Sequence, residues 1–446
     1  MGLPSYVIRW CHPWMGRLAQ ELKQLEQRAC WSRAEIDAYQ LDQVNHLWKF
    51  ARRRVRYYAN LKSTSGGALP ERFRSLNEFR AEMPLLRRET VRLRAGELVA
   101  DEPLPGAWSQ SGGSTGSPVR IWRDRQSAWQ WRLNHFRQFQ PFGVTPGDPM
   151  VWLWGHQQAR GRGWKRQWAR VYQPAADRFS NRLRLSAYHL DQQALRGYVR
   201  SIQKFRPAVL YGYTNAVYLL AREMKASGDT IDSLRVAVLT AEPIRDYQRE
   251  AIQEAFGAKV IGEYGSMECG IVASEDVSGK MQVWEDSCLV ETESTERGHE
   301  VIVTRFSNFT FPLLRYATED IAEQPLVIPP SGYAELAPIT GRLMDYLVAR
   351  DGGLRHGTYV EHLMAHQPSV RRYQVRQAKD GSVRCLIELR DGQRPFDAES
   401  VQKQLTELLR GEQVAVEVTD HVPLTVAGKS RPVLSELTGF VSNPPD

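Results

Sequence analysis

Between residues 200 and 265 the chain alternates β-branched runs with amphipathic stretches. A helix ends near Phe205, PAVLYGY follows, then a helix from about Asn215 to Ser227, LRVAVLTAE, a helix from about Arg245 to Phe256, and AKVIGEYGS. Strands separated by helices need crossover connections, so this order predicts a mostly parallel sheet covered on both faces. Sheets of that kind bind ligands beyond the carboxyl ends of their strands. Those ends here carry Tyr211-Gly212-Tyr213, Thr240-Ala241-Glu242-Pro243 and Glu263-Tyr264-Gly265-Ser266.

The regions on either side differ in character. From Met15 to about Asn60, apolar residues recur every three to four positions and predict two amphipathic helices, with Ser32 and Glu35 as a capping box between them. The Ser- and Gly-rich stretch from Lys62 to Pro70 reads as a mobile connection. After Ile339 the runs VRRYQVRQ, SVRCLIELR and VAVEVTD alternate in period two, and a helix is expected from about Ala398 to Leu409. A chain of 446 residues exceeds what one core organises. The expected architecture is α/β: a large N-terminal domain over 1–340, with a helical extension over 1–60, and a small mobile α+β domain over 341–446.

The formal charge of +8 arises from Lys and Arg interleaved with Asp and Glu, the pattern of a solvated surface and not of a nucleic-acid interface. The basic run Arg160-Gly161-Arg162-Gly163-Trp164-Lys165-Arg166 reads as a solvated loop. Five cysteines, at Cys11, Cys30, Cys269, Cys288 and Cys385, form no CxxC pair and predict a reducing, cytoplasmic setting. VIRWCHPWMG near the start is broken by Arg9, His12 and Pro13, which fits neither a signal peptide nor a transmembrane span. His135, His156, His189 and His299 are too scattered to propose a metal site.

Ser111-Gly112-Gly113-Ser114-Thr115-Gly116-Ser117-Pro118 combines glycines with hydroxyl residues, so its backbone N–H groups and side chains are suited to phosphate oxygens. Taken alone it reads equally as a surface loop. It lacks the lysine of a Walker loop, which excludes a conventional P-loop kinase. Further signals follow in order: Ala241-Glu242-Pro243, Glu263-Tyr264-Gly265-Ser266-Met267-Glu268, Arg315-Tyr316-Ala317-Thr318-Glu319-Asp320, Gly341-Arg342-Leu343-Met344-Asp345, and Thr425-Val426-Ala427-Gly428-Lys429.

In this order and at these intervals the motifs resemble the adenylate-forming superfamily of acyl-CoA synthetases, luciferases and adenylation domains. The likeness is greatest to the phenylacetate–CoA ligase-like branch, which includes proteins associated with capsular polysaccharide genes, and it spans essentially the whole chain. The resemblance implies a ligase that activates a carboxylic acid with ATP, forms an acyl-adenylate and releases pyrophosphate. Transfer to a thiol, of CoA or a carrier protein, would follow. Direct transfer to an amine or hydroxyl of a sugar or natural product, and a non-catalytic nucleotide-binding homologue, are the alternatives. A monomer or homodimer is expected.

The resemblance also implies roles. Ser111 to Gly116 would contact the ATP phosphates, and Thr115, Glu268 and Lys429 would form the catalytic set. Glu268 would hold Mg²⁺, as a hard oxygen ligand suits it. Tyr264 would stack on adenine, Gly265 leaving room for the nucleotide, with Glu263, Ser266 and Met267 beside it and Ala241, Glu242 and Pro243 lining the base pocket. Asp320 would accept hydrogen bonds from the ribose hydroxyls, and Arg342 would lie near ribose and phosphate. Lys429 would reach the charge that develops between carboxylate and α-phosphate. The chain departs from the pattern at Met344, where the hinge acid usually stands (Asp345 is beside it), and at Ser117, where a lysine is often found. Trp152, Trp154 and Trp164 read as core more than as acyl pocket.

Overall fold

The structure, a computed structural model, describes residues 14–110, 119–154, 176–187, 190, 192–296, 298–342, 346–350, 354–356, 360, 363–364, 367, 369–390, 396–423 and 431–437. The chain divides into two compact units, 1–339 and 340–446.

In the first unit the helix Trp14–Arg28 buries Met15, Leu18, Leu22 and Leu25 on one stripe. The helix Arg33–Arg54 begins at the expected capping box, in which Ser32 Oγ accepts from Glu35 N and the Glu35 carboxylate accepts from Ser32 N. The Ser/Gly stretch that follows is a tied turn and not a mobile link. Ser63 N donates to Gly67 O at 2.9 Å, Thr64 N to Glu82 O at 2.9 Å, and Trp48 Nε1 to Pro70 O at 2.8 Å. Composition registered the lack of side chains to pack and missed the backbone bonds that fix the segment.

A hairpin, β1 (Gly106–Gln110) and β2 (Arg120–Asp124), brackets residues 111–118. At Gly106 a Cβ would fall 2.2 Å from Arg123 O, so the two strands meet only through glycine. The central sheet contains β3 (Met150–Trp154), β4 (Arg182–Ser186), β5 (Val209–Tyr213), β6 (Val236–Thr240), β7 (Lys259–Ser266), β8 (Gly270–Glu275) and β9 (Met281–Val283). Its order is β4-β3-β5-β6-β7-β8-β9. The first five are parallel, and β8 and β9 add antiparallel.

Helices Gln192–Phe205, Thr214–Ser227 and Asp246–Phe256 are connections between strands. Val151, Leu153, Leu210, Ala237 and Leu239 pack with residues of these helices such as Val199, Leu220 and Ile252. On the other face, Met150, Val209, Tyr211, Val236, Val238 and Ile261 pack with Phe139 and Val144. Burial on both faces explains why the runs read as continuously apolar.

A second sheet is built from β10 (Cys288–Thr295), β11 (Gly298–Arg305) and β12 (Tyr316–Ala322), antiparallel throughout, with β13 (Ile339–Arg342) last in the order. Arg315, just before β12, takes a left-handed φ of 47° and is buried. Its Nε donates to Glu291 at 3.1 Å and its Nη1 to Arg80 O and Met83 O at 2.6 and 2.8 Å, so it is a structural clamp. Burial outweighs this pairing at Glu291 and raises its carboxyl above the usual range.

The second unit contains β14 (Tyr346–Val348), β15 (Leu354–His356), β16 (Val370–Gln377), β17 (Val383–Leu389), β18 (Val414–Val418) and β19 (Val433–Ser435). The last four form a sheet ordered β18-β17-β16-β19. Val375, Val383, Cys385 and Ile387 pack with Val401 and Leu405 of the helix Ala398–Leu408. No described helix is long and apolar enough to cross a membrane.

Candidate active site

The carboxyl ends of the parallel strands are wired by buried polar groups. At the end of β6, Ala241 adopts a left-handed φ of 71°, a conformation that costs a non-glycine residue of order 1 kcal/mol. The turn it makes brings the Glu242 carboxylate to Asn215 N at 2.9 Å and the Glu242 carbonyl to Thr214 Oγ1 at 3.1 Å. Glu242 therefore caps the first turn of Thr214–Ser227, where the helix dipole favours an anion. Pro243 follows, half-buried.

Glu263 and Tyr264 are adjacent in β7, and their side chains meet different partners, as the period of two requires. Glu263 is buried and accepts from Tyr211 Oη at 2.7 Å, Thr240 Oγ1 at 3.0 Å and Gln138 Nε2 at 2.7 Å. These donors are all neutral, and burial raises the carboxyl above its ordinary value against their opposing pull. Tyr264 is buried in the core that also contains Tyr316 and Val301. Its hydroxyl donates to Asp320 Oδ2 at 3.0 Å and lies 3.5 Å from Thr318 Oγ1. Burial, with Asp320 adding to it, holds this phenol well above its usual range, so it stays a neutral donor.

Gly265 is required by its neighbour strand, because a Cβ there would fall 2.3 Å from Gly270 O, at a shift in the β7–β8 register. In the turn that follows, Ser266 Oγ accepts from Cys269 N at 3.0 Å, and the carbonyl of Met267 accepts from the half-buried Arg123. Glu268 is 2% exposed, and its Oε1 accepts from Arg88 Nη1 at 2.6 Å. Arg88, itself 7% exposed, also lies 3.7 Å from Glu319 Oε2 and 3.4 Å from Tyr316 Oη. Asp320 is buried beside this cluster, with its amide on Thr318 Oγ1 and its carboxylate on Tyr264. Glu319 has a φ of 65°, the left-handed region again. The alternative of an ordinary exposed acidic pair does not describe Asp320.

The structure thus gathers Tyr264, Glu268, Glu319 and Asp320 from two motifs that are about fifty residues apart in sequence, and adds Arg88, which sequence reasoning missed. Arg87-Arg88 sits in an Arg-rich stretch that resembles any solvated surface; only burial distinguishes Arg88. Glu263 faces away from this cluster, and Glu242 caps a helix. Ser111, Gly112, Gly113, Ser114, Thr115, Gly116, Met344, Asp345 and Lys429 lie outside the described residues, as do Trp164 and the side chain of Arg342, whose backbone ends β13.

Trp152 and Trp154 belong to an aromatic cluster on the sheet. Trp154 stacks on Tyr211 with centroids 5.4 Å apart, and Arg182 lies 3.9 Å over Trp152. His135 in the same cluster stacks on Trp131 and makes no hydrogen bond through either ring nitrogen; burial holds it neutral. Among the described residues no three His, Cys, Asp or Glu gather as a metal cage. The donor set suits Mg²⁺ in the mode where one or two carboxylates hold it and substrate phosphates supply further oxygens, with Glu268 as the carboxylate.

No protein-family model matches the chain. In sequence it is similar to the protein CapK of Staphylococcus aureus, 26% identical over 283 residues that span 61% of each chain. It is also similar to phenylacetate–coenzyme A ligase of Thermus thermophilus, 24% identical over 430 residues, covering 88% of this chain and 92% of that one. In fold it matches 2-hydroxyisobutyryl-CoA ligase bound to an acyl adenylate, with a TM-score of 0.69, 17% identity and 92% of both chains covered. The chain shares the fold of that ligase.

Proposed function

From this fold and these relatives we infer that the chain is an AMP-forming acid ligase: it joins a carboxylic acid to the α-phosphate of ATP and releases pyrophosphate. The observation that carries the reading is the meeting of two ordered motifs in buried polar pairs: Glu268 on Arg88, with Glu319 3.7 Å from that arginine, and Tyr264 on Asp320. Adenylation brings two anions together, and the barrier falls only where positive charge and oriented donors offset their repulsion.

Mg²⁺, when bound, would supply part of that charge. Glu268 is the residue proposed to hold it, oriented by its bond to Arg88. Asp320, with Tyr264 Oη fixing its Oδ2 side, is proposed to accept the ribose hydroxyls. The Tyr264 ring, Gly265 and the turn through Ser266 and Met267 are proposed to border the base, and Ser111 to Gly116, with Thr115, to donate to the phosphates. Lys429 would place its ammonium on the developing charge, and Arg342 would assist near the ribose. Transfer to a thiol, of CoA or a carrier protein, in the cytoplasm, is the proposed second step.

The test is pyrophosphate release with Mg-ATP and a panel of aryl, fatty and amino acids, with hydroxylamine present to trap activated acyl groups. Acid-dependent release, with a trapped hydroxamate, is the expected result. ATP binding without release for any acid would overturn the reading. Lys429→Ala is expected to keep ATP binding and to lose most of the release; near-normal release by that variant would remove Lys429 from the mechanism.

A further inference from the structure

Arg305 ends β11 in the interior of the first unit and is 4% exposed. Its Nε donates to Ser307 Oγ at 3.1 Å and its Nη2 to Ser127 O at 3.0 Å, while Nη1 has no hydrogen-bond partner. No described carboxylate forms an ion pair with it. A carboxylate that acts on it at longer range, Asp124, accepts from Ser127 N at 2.7 Å and Thr310 N at 3.3 Å, and the other neighbouring charge is the cation of Arg123. A guanidinium taken from water with no carboxylate in direct contact is costly for a core to hold. Burial, reinforced by Arg123, lowers this one to about 10.

Beside Arg305 is a cavity of about 10 Å³, lined also by Gln130, Asn134, Cys269, Ser287 and Cys288, which is room for one small occupant. No carboxylate lines it. Its acceptors are largely used: Asn134 Oδ1 accepts from Gln130 at 3.1 Å, and Ser287 Oγ accepts from Asn134 at 3.0 Å while donating to Trp284 O.

We propose that this cavity binds one small monovalent anion, of chloride size, on Arg305 Nη1. A water would satisfy the hydrogen bond and leave the charge. The anion satisfies both. The cavity opens on Cys269, next to Glu268, and the guanidinium lies against Gly270, where a Cβ would fall 3.2 Å from Nη1. Occupancy therefore braces the turn that carries Glu268, at the junction of β8, β10, β11 and the helix Arg125–Arg137. The inference stands apart from the proposed reaction.

The experiment is diffraction from the full chain crystallised in sodium bromide, with thermal melts in sodium chloride and sodium gluconate at equal ionic strength. An anomalous bromide peak within hydrogen-bonding distance of Nη1 is expected, together with a melting temperature about 2–4 °C higher in chloride. Arg305→Met is expected to melt at the same temperature in both salts. A water in place of the peak, identical wild-type melts, or a chloride shift that persists in Arg305→Met would each overturn the proposal. If that variant does not fold, the wild-type bromide map decides.

Discussion

Glu263 lies within β7 and Glu268 in the turn that follows it, both buried, and the structure treats them differently. Glu263 is held by three neutral donors drawn from Tyr211, Thr240 and Gln138. Glu268 is held by the cation of Arg88, with Glu319 and Asp320 close by. The first arrangement ties adjacent strands through neutral donors; the second sets a cation against carboxylates of two motifs. Burial is common to the two acids, and the kind of partner is what distinguishes them.

The largest effect expected from this contrast is on activity. Glu268→Gln should lower acid-dependent pyrophosphate release by about 10²–10³-fold, the scale of losing one transition-state stabiliser. It should also destabilise the first unit by about 1–3 kcal/mol, because Arg88 loses its 2.6 Å carboxylate contact and keeps the longer one to Glu319. The double variant Arg88→Met/Glu268→Gln should recover most of the stability in denaturant titrations and none of the activity. Recovery of both would make the pair merely structural.

Glu263→Ala should act the other way round. Its three donors would lose their acceptor, at a cost of about 2–4 kcal/mol in unfolding free energy, while turnover at a temperature where the variant is folded stays within a few fold of wild type. A loss comparable to that of Glu268→Gln, with the fold intact, would put Glu263 in the chemistry and erase the contrast.

A smaller effect separates the two acids by pH. The Glu263 carboxyl is raised in the folded state above its ordinary value of 4.5. Between 4.5 and that raised value the folded chain binds more protons than the unfolded chain, so the contribution of Glu263 to stability falls as pH rises through the window. Glu263→Gln cannot titrate. Its melting temperature relative to wild type should therefore improve as pH is raised through that window, and a difference that stays constant across it would show that Glu263 does not titrate on unfolding.

Much of this fold was legible in the sequence because its signals are local. The alternation from Phe205 to Ser266 marks crossovers, and Ser32 with Glu35 marks a helix start. The candidate site was legible as an ordered set of motifs, but not as a geometry. Nothing in Glu263-Tyr264 says that the two side chains meet different partners until the strand period is applied, and nothing in an Arg-rich stretch marks Arg88 as the one that is buried. The error at Lys62 to Pro70 has the same root: backbone hydrogen bonds such as Ser63 to Gly67 leave no trace in composition.

The finest test concerns a single hydroxyl. Tyr264 Oη reaches Asp320 Oδ2 at 3.0 Å in a buried setting, and Thr318 Oγ1, which itself donates to Val301 O at 2.7 Å, lies beside it. Tyr264→Phe keeps the ring and its packing and removes only this donor, so the stability cost should be about 1 kcal/mol. If the bond orients Asp320 for the ribose, the KM for ATP should rise by about 3–10-fold with kcat little changed, since an interaction present equally in ground and transition states affects binding alone. An unchanged KM with the same stability cost would assign the hydroxyl to the core. In that case Tyr264 belongs with Glu263 among the structural groups of β7, and the functional cluster begins at Glu268.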